Sequence, residues 1–211
     1  MLLLLYVLVA YLLGSLSGSL LLGKLKGTDI RQAGSGNAGG TNALRTQGWK
    51  FALGVLLIDV GKGALAVKML PTGSFIVAGL TISAPFAQCA VAFACVLGHI
   101  YPLFFGFRGG KGAATYVGAL LVLAPLAFCG MFSVWALLVV LTGYVGLATI
   151  VGALLAPLAI WAVADPIARF DYLIGAAFLS ALVIFAHREN LTRLVAGKEN
   201  RFKRVRLFAD S

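Results

Sequence analysis

Polar residues suited to binding an anion fall in three short segments of an otherwise apolar chain. The first is RQAGSGNAGGTNALR (31–45), in which residues 34–39 spell G-x-G-x-x-G. A dinucleotide-binding loop needs this pattern between a strand and a helix of a βαβ unit, whereas here it follows an apolar span and a basic stretch. Closely spaced glycines still let backbone N–H groups converge on an oxyanion. The segment is therefore either a phosphate-binding loop or a flexible glycine-rich connection. The residues of this segment that could bind the anion are Ser35, Gly36, Asn37, Gly39, Thr41, Asn42 and Arg45.

The second segment, GHIYPLFFGFRGGKGAAT (98–115), places two cations among closely spaced glycines. Residues 106–112 resemble a nucleotide phosphate loop. However, three residues separate the glycines where that loop has four, and Gly112 stands where Ser or Thr would hold magnesium. Nucleotide hydrolysis is therefore not indicated. Arg108 and Lys111 flank two glycines at a predicted helix start, where the helix dipole and free N–H groups favour an anion.

His99 lies in this second segment, at the end of a predicted membrane span. An imidazole there could act as a base, donate a hydrogen bond to a phosphate, or pack as an interfacial residue. The sequence around it favours packing, and the other two roles stay open.

The third segment, AHRENLTRLVAGKENRFKRVR (186–206), closes the last apolar run. His187, Arg188 and Asn190 sit at the membrane edge, level with the other two segments, so they could face a shared pocket. Basic residues from position 198 onwards are typical of anchoring to anionic lipid on the cytoplasmic side. Residues 198–211 are therefore interpreted as a basic cytoplasmic tail.

Composition places the chain in a membrane. Of its 211 residues, 61% are hydrophobic and only 11% are charged, far below the charged fraction of about 25% in soluble domains. The net charge of +10 is explained by basic loops that meet lipid headgroups, and nucleic acid is not an expected partner. The three cysteines lie in apolar runs and no cluster of His, Cys or acids is visible, so we expect neither a metal nor a cofactor.

Seven apolar stretches of spanning or near-spanning length predict an all-α, polytopic fold with seven transmembrane helices. The fourth and fifth are short and are divided only by Pro125 and Gly130, so a single kinked helix, giving six spans, is the alternative. The expected spans are 2–23, 51–70, 74–97, 113–127, 128–143, 147–164 and 172–186.

The distribution of Lys and Arg orients these helices. Fourteen of the seventeen basic residues lie in residues 24–50, 98–112 and 187–211. Seven spans put all three regions on one side of the membrane, whereas six would put the last on the opposite side. We therefore expect the N-terminus outside and the C-terminus in the cytoplasm, with the whole chain, 1–211, forming one transmembrane domain.

Asp59 and Lys62 stand three residues apart inside the second predicted span. Charges at such depth are costly, so these side chains are expected to pair with each other or to meet a polar interior. A structural pair and a direct contact with ligand are both compatible with the spacing.

Taken together, GSGNAGGTN with Arg45, LGHIYPLFFGFRGGKGAAT and HRENLTRL resemble the motifs of the bacterial acyl-phosphate-dependent glycerol-3-phosphate acyltransferases, in the same order and spacing. The resemblance covers nearly the whole chain. It implies seven membrane helices in the bacterial inner membrane and an active site facing the cytoplasm. The implied reaction moves a fatty acyl group from acyl phosphate to the 1-hydroxyl of glycerol 3-phosphate, giving lysophosphatidic acid and phosphate. Membrane lipids, both substrates and the enzyme that produces the acyl phosphate are the implied partners.

The resemblance also implies roles for individual residues. One difference is in GYVGLAT, where the family commonly has serines and this chain has Gly146 and Thr149, which leaves any role for that stretch open. The implied catalytic residues are Ser35, Arg45, His99, Lys111, His187 and Asn190. The implied substrate-binding residues are Gly36, Asn37, Gly39, Thr41, Asn42, Arg108, Gly109, Gly110, Gly112, Thr149 and Arg188.

The chemistry implied by this family suits what the chain contains. An acyl phosphate carries a good leaving group, so no covalent enzyme intermediate is needed, and neither G-x-S-x-G nor H-x-x-x-x-D occurs. We expect direct attack by the glycerol hydroxyl, with its proton taken by a substrate phosphate oxygen or by a histidine. A transporter for a phosphorylated solute and a lipid-binding structural protein are the alternatives. A transporter would place its site near the bilayer midplane, commonly with inverted repeats.

Overall fold

The structure is a computed structural model that describes residues 1–202. The part of the expected basic tail from 203 to 211 lies outside the described residues. Most of the described chain is helical, as the composition predicts. The helices are α1 (Leu2–Gly14), α2 (Gly18–Leu25), α3 (Gly40–Gln47), α4 (Trp49–Lys68), α5 (Ala84–Ile100), α6 (Ala113–Leu123), α7 (Pro125–Thr142), α8 (Val145–Val163), α9 (Arg169–Ala186) and α10 (Arg188–Val195). Single turns of 3₁₀-helix lie at Ile30–Gln32 and Leu103–Phe105.

A short β-hairpin departs from the all-α expectation. Strands β1 (Phe75–Val77) and β2 (Leu80–Ile82) pair antiparallel, with Phe75 opposite Ile82. The two residues between them have positive φ, 50° at Ala78 and 81° at Gly79, a turn that matches the twist of paired strands. The expected span at 74–97 is therefore wrong at its start.

Helix α5 begins at Ala84, ten residues later than expected. Its first turn carries two start signals: the Ser83 side chain accepts a hydrogen bond from the Phe86 N–H, at 3.3 Å, and a proline lies within the first two helical positions. The apolar run across 74–97 hid this boundary because strand and helix residues are equally hydrophobic there.

The first expected span, 2–23, is also broken. Helices α1 and α2 meet at an angle of 47°, and Ser17 between them is extended, at φ −67° and ψ 121°. At the end of α1, a Cβ added to Gly14 would overlap the backbone of Cys95. Helix α1 therefore ends in close contact with α5.

Four helical segments in residues 1–202 are long and apolar enough to cross a membrane, and a fifth is present if the bent pair α1–α2 counts as one. The four are Ala84–Phe105, Pro125–Thr142, Val145–Val163 and Arg169–Ala186. The other two expected spans correspond to α4, which contains Asp59 and Lys62, and to α6, which has 11 residues. The break before Pro125 gives two helices rather than one kinked helix. Seven spans and the orientation of the termini stay predictions.

Close helix packing positions the polar segments. Helix α4 packs against α6, and α1 packs against α5. At the α4–α6 contact, a Cβ added to Gly63 or Gly118 would overlap the facing backbone at Thr115 or Val60. These glycines bring the backbones of α4 and α6 together. Helix α5, which carries His99, also packs against α4 and α6, so the three helices form one closely packed unit.

Candidate active site

A polar pocket lies where the three motif segments meet. Arg45, Lys111 and Asn190, which are distant along the chain, all line it. The convergence expected from the sequence is therefore present in the structure. The lining residues are Ser35, Asn37, Thr41, Asn42, Arg45, Lys111, Val145, Gly146, His187, Asn190, Arg193, Glu199 and Asn200.

The glycine-rich segment is held in shape by Asn42, whose side chain is buried. Its Nδ2 donates to the carbonyl oxygens of Ile30 and Ala33, at 3.1 and 3.0 Å, and its Oδ1 accepts from the Ser35 N–H, at 2.9 Å. Gly34 has φ +64°, and a Cβ there would overlap the Asn42 side chain. Of the two interpretations left open, a flexible connection does not fit, because every polar atom of the Asn42 amide is used to fold the loop.

Helix α3 presents the rest of this segment to the pocket. Gly39 is the extended N-cap residue, with φ −140°, so the first helical N–H groups follow it directly. Thr41 and Arg45 are four residues apart and lie on the same helix face, and both line the pocket. The guanidinium of Arg45 lies over the ring of Phe202, 5.7 Å from its centroid. A helix N-terminus and a cation thus face the same space, an arrangement that attracts anions.

Lys111 enters the pocket from the loop that follows α5. The loop folds back on the helix end: Gly109 N–H donates to the Ile100 carbonyl at 3.0 Å, and Gly110 N–H donates to the His99 carbonyl at 3.2 Å. The Lys111 ammonium then donates to Oδ1 of Asn190. Partial burial, reinforced by the positive charge of Arg193, lowers the pKa of Lys111. Binding of a negatively charged ligand would offset both effects, so this cation is suited to an anion.

His187 begins α10 and lines the same pocket. Its Nδ1 lies 2.8 Å from the Val183 carbonyl oxygen. Because a carbonyl can only accept, Nδ1 carries the proton and Nε2 keeps a lone pair. Burial, with a smaller contribution from the charge of Lys111, lowers the pKa of His187 to about 4. The imidazole is therefore neutral at pH 7 and can accept a proton at Nε2.

His99 is not among the residues that line the pocket. It is 2% exposed, and its Nδ1 lies 2.9 Å from the Lys62 Nζ and 3.3 Å from the Asp59 Oδ1. On the other side, a Cβ added to Gly110 would overlap its Nε2. Of the three roles that the sequence left open, the structure supports packing, within a buried polar cluster behind the Lys111 loop. The ion pair expected between Asp59 and Lys62 is confirmed at 2.9 Å.

Several expected substrate-binding residues lie away from the pocket lining. Arg108, Gly36 and Gly109 line a second, open cavity together with Arg31. There Arg31 pairs with Asp29 at 2.8 Å and donates to the carbonyl oxygens of Phe105 and Arg108. The substrate-binding roles expected for Arg108, Gly36 and Gly109 stay predictions.

Thr149 and Arg188 are engaged elsewhere. The Thr149 hydroxyl donates to the Val145 carbonyl at 2.9 Å and accepts from the Trp135 Nε1–H at 3.2 Å. Arg188 lies over the Phe185 ring, 4.5 Å from its centroid. Gly39, Gly110 and Gly112 also fall outside the lining residues, and they act here through the backbone of the two loops. The substrate-binding roles expected for this group stay predictions.

Glu199, Arg193 and Asn200 line the pocket and were missed by the sequence reasoning. The Glu199 side chain is 4% exposed. It accepts from Asn190 Nδ2 at 2.7 Å and from Arg193 Nε at 2.8 Å. Two features of the sequence point to these residues. Arg193 lies one helical turn after Asn190, and Glu199 is a single acid within a basic run.

The start of the expected tail therefore belongs to the site. Besides the contacts of Glu199, the Phe202 N–H donates to the Gly143 carbonyl at 2.8 Å. Residues 198–202 thus run from α10 to the turn between α7 and α8 and close one side of the pocket. The interpretation of 198–211 as a basic cytoplasmic tail stays a prediction, and Glu199 and Phe202 within it also make specific contacts with the rest of the chain.

Within residues 1–202, no group of three or more His, Cys, Asp or Glu side chains is arranged to hold a metal ion. The pocket instead combines cations, amides and a helix N-terminus. Apolar helices of spanning length with such a pocket define the class: an integral membrane protein with a polar pocket lined by cations.

Comparison with known proteins narrows this class. Residues 4–197 match the family model described as glycerol-3-phosphate acyltransferase, and the chain belongs to this family of enzymes. Among its relatives, the glycerol-3-phosphate acyltransferase of Shewanella sp. (strain MR-4) is 44% identical over 95% of this chain and 93% of that protein. The protein of the same description from Aquifex aeolicus (strain VF5) is 39% identical over 93% of this chain and 97% of the other. The family identified from the three motifs is thereby confirmed.

The fold is also similar to solved structures. The crystal structure of PlsY (YgiH), an integral membrane glycerol 3-phosphate acyltransferase, in its glycerol 3-phosphate form superposes with a TM-score of 0.82 at 37% identity. Its lysophosphatidic acid form gives 0.81 at 36% identity. In both cases the likeness covers 95% of this chain and 95% of the other. The family model, which matches residues 4–197, includes Ser35, Arg45, Lys111, His187 and Asn190.

Proposed function

We propose that this protein transfers a fatty acyl group from acyl phosphate to the 1-hydroxyl of glycerol 3-phosphate. The products are lysophosphatidic acid and phosphate, and the reaction is the first acylation step of phospholipid synthesis. The observation that carries the proposal is the convergence of Arg45, Lys111, His187 and Asn190 in one pocket. The similarity to PlsY in its glycerol 3-phosphate and lysophosphatidic acid forms supports the same choice of acceptor and product.

The pocket suits the main difficulty of this reaction, which is to hold two anionic reactants close together. Arg45 and Lys111 supply positive charge from two different segments, and the start of α3 supplies N–H groups. Fixing both reactants can lower the barrier by about 7–11 kcal/mol. Donors fixed in advance also stabilise the oxyanion that forms when the acyl carbonyl is attacked.

The proton of the attacking hydroxyl has two possible acceptors. The glycerol oxygen forms a bond to the acyl carbon, the bond from that carbon to the phosphate oxygen breaks, and phosphate leaves with the electron pair. His187 is neutral and keeps a lone pair on Nε2, so it can take the proton. A phosphate oxygen of either substrate is the other acceptor. His99, which does not line the pocket, is the less suitable of the two histidines.

The surrounding fold accommodates an amphiphilic product. The apolar helices α7, α8 and α9 offer hydrophobic surface for a fatty chain next to the polar pocket. We place the protein in the bacterial inner membrane with seven spanning helices and the pocket facing the cytoplasm, where the basic segments are concentrated. There it would meet membrane lipids and the enzyme that supplies the acyl phosphate.

The test uses the purified full-length chain in detergent or vesicles with palmitoyl phosphate and glycerol 3-phosphate. Lysophosphatidic acid and phosphate should form in equal amounts, and palmitoyl-CoA should not replace the acyl phosphate. Lys111→Met should abolish most turnover, whereas Lys50→Met, at an exposed lysine outside the pocket, should not. Uptake of glycerol 3-phosphate into vesicles without acylated product would instead identify a transporter.

A further inference from the structure

A second group of charged side chains lies behind the pocket. Asp59 and Lys62, one turn apart on α4, are 0% and 4% exposed. Their closest atoms, Lys62 Nζ and Asp59 Oδ1, are 2.9 Å apart. Neither residue lines the pocket. Removing two charges from water is expensive, and such pairs persist where further hydrogen bonds compensate them. The question is what this pair holds in place.

On one side the pair fills the break between α1 and α2. Lys62 Nζ donates to the carbonyl oxygens of Gly14 and Leu16, at 2.8 and 3.1 Å. Asp59 Oδ1 accepts from the N–H of Gly18, the first residue of α2, at 3.0 Å. Helix ends leave carbonyl and N–H groups without partners inside the helix. The pair satisfies some of these groups and so fixes its own position.

On the other side the pair holds His99. Nδ1 of His99 lies 2.9 Å from Lys62 Nζ and 3.3 Å from Asp59 Oδ1, so the ring contacts both members of the pair. The ring is thus fixed by its Nδ1 edge, and its Nε2 edge points towards the loop of residues 109–112. A Cβ added to Gly110 would meet both this Nε2 and the carbonyl oxygen of Ala38.

The 109–112 loop is closely packed at Gly110, between the His99 ring and the Ala38 carbonyl oxygen. The backbone of His99 and Ile100 accepts the N–H groups of Gly110 and Gly109, and the imidazole of His99 lies against Gly110. The next residue, Lys111, sends its ammonium into the pocket to Asn190. A continuous series of contacts therefore connects the buried pair on α4 to the cation in the pocket.

We propose that Asp59 and Lys62 are positioning residues for the reaction: through His99 they fix the 109–112 loop that carries Lys111 into the pocket. The part of this inference that concerns the reaction rests on the proposed function. Its structural content, the placement of Lys111, can be measured without turnover.

The experiment measures how fast Lys111 reacts with a water-soluble N-hydroxysuccinimide acetate in the purified full-length chain, quantified by peptide mass spectrometry. Exposed Lys50 is the internal reference. Replacing only Asp59 or only Lys62 would leave the other buried charge without its partner. The main variant is therefore the double change Asp59→Asn with Lys62→Met. Lys68→Met, at the exposed end of the same helix, is the matched control.

We expect acetylation of Lys111, relative to Lys50, to be at least fivefold faster in the double variant and unchanged in Lys68→Met. His99→Gln, which keeps the ion pair, should show the same increase. If the double variant does not yield monodisperse protein, the result for His99→Gln tests the proposal in its place. An unchanged Lys111 rate, or an equal rise at both lysines, overturns the proposal.

Kinetics on the same samples separate the two proposals. In the double variant the KM for glycerol 3-phosphate should rise at least threefold along with a tenfold fall in kcat, because a misplaced Lys111 weakens binding as well as turnover. A smaller amount of correctly folded enzyme would lower the apparent kcat alone, and that result counts against positioning. If the unchanged chain has no acyltransferase activity, the proposed function fails while the acetylation rates still test the placement of Lys111.

Discussion

The ammonium group of Lys111 donates a hydrogen bond to the side-chain oxygen of Asn190, 79 residues further along the chain. Asn190 in turn donates from Nδ2 to Glu199 at 2.7 Å. This series joins the loop after α5 to α10 and to the segment that follows it. The position of the Lys111 ammonium therefore depends on the C-terminal part of the described chain.

Replacing Lys111 should remove much of the activity. Lys111→Met eliminates the cation and its bond to Asn190 while keeping a side chain of similar length. Removing one such electrostatic contact from a reacting centre costs about 3–4 kcal/mol, so kcat should fall by about 10²–10³. Steady-state kinetics with palmitoyl phosphate measure this, and an activity within twofold of the unchanged chain would contradict the role.

Separate replacement of the two histidines tests the proton acceptor. If His187 is the base, His187→Gln should lower kcat by about 10²–10⁴. His99→Gln should act more weakly and raise KM, because His99 supports the loop from behind. Full activity of His187→Gln leaves a substrate phosphate oxygen or His99 as the acceptor. Full activity of both variants excludes histidine as an essential base.

The stability of the protein should decrease in mild acid because of His187. Its pKa is about 4 in the folded protein and 6.5 in the unfolded chain, so between these values the unfolded state binds a proton that the folded state does not. The resulting loss of folding stability is small above pH 6.5 and grows as the pH falls. It reaches its full size, about 3 kcal/mol, below pH 4. Thermal unfolding in detergent at pH 7 and pH 4.5 should show a smaller decrease for His187→Gln. Equal decreases would argue against a neutral, buried imidazole.

Glu199→Gln should impair the pocket although the residue lies in a basic run. The change removes the charge that faces Arg193 and alters the partner of Asn190. A lost buried contact of this kind costs about 1–3 kcal/mol, which should appear as a lower melting temperature and a raised KM for glycerol 3-phosphate. Glu189→Gln is the matched control, because Glu189 is 68% exposed and lies 3.8 Å from the same arginine. Equal effects of the two changes would refute a specific role for Glu199.

Gly110→Ala should disturb the Lys111 loop. The added Cβ would overlap the His99 ring and the Ala38 carbonyl, so the loop or the imidazole must shift, and kcat should fall at least tenfold. Gly61→Ala places the same methyl group on α4, where nothing lies within 4 Å, and should leave activity unchanged. Purified variants compared at equal protein amounts give the measurement. Normal kinetics of Gly110→Ala would show that the loop tolerates displacement.

The sequence predicted the pocket better than the helices around it. Ser35, Arg45, Lys111, His187 and Asn190 could be grouped because each lies in a polar segment interrupting apolar sequence, at one predicted membrane face. The position of His99 could not be predicted, because it depends on contacts with Asp59 and Lys62 from another helix. Spacing along one segment carries no information about such contacts.

The boundaries of several helices could not be predicted from the sequence, for a different reason. In the apolar run from Phe75 to Ile100, strand, turn and helix have similar hydrophobicity, so composition did not reveal the hairpin or the start at Ala84. At the break after Gly14, Lys62 donates to the Gly14 and Leu16 carbonyls, and Glu199 is held inward by Asn190 and Arg193. Each of these features is decided by a partner elsewhere in the fold.

Residues 198–202 close the pocket from the late end of the polypeptide. A ribosome makes Ser35 and Lys111 long before Glu199, and the Phe202 contact with Gly143 forms after every helix from α1 to α10 has been synthesised. An interrupted translation product that stops at position 197 would contain all ten helices and still lack one wall of its pocket. In such a product Asn190 and Arg193 would lack their Glu199 partner, and Gly143 would lack its contact with Phe202.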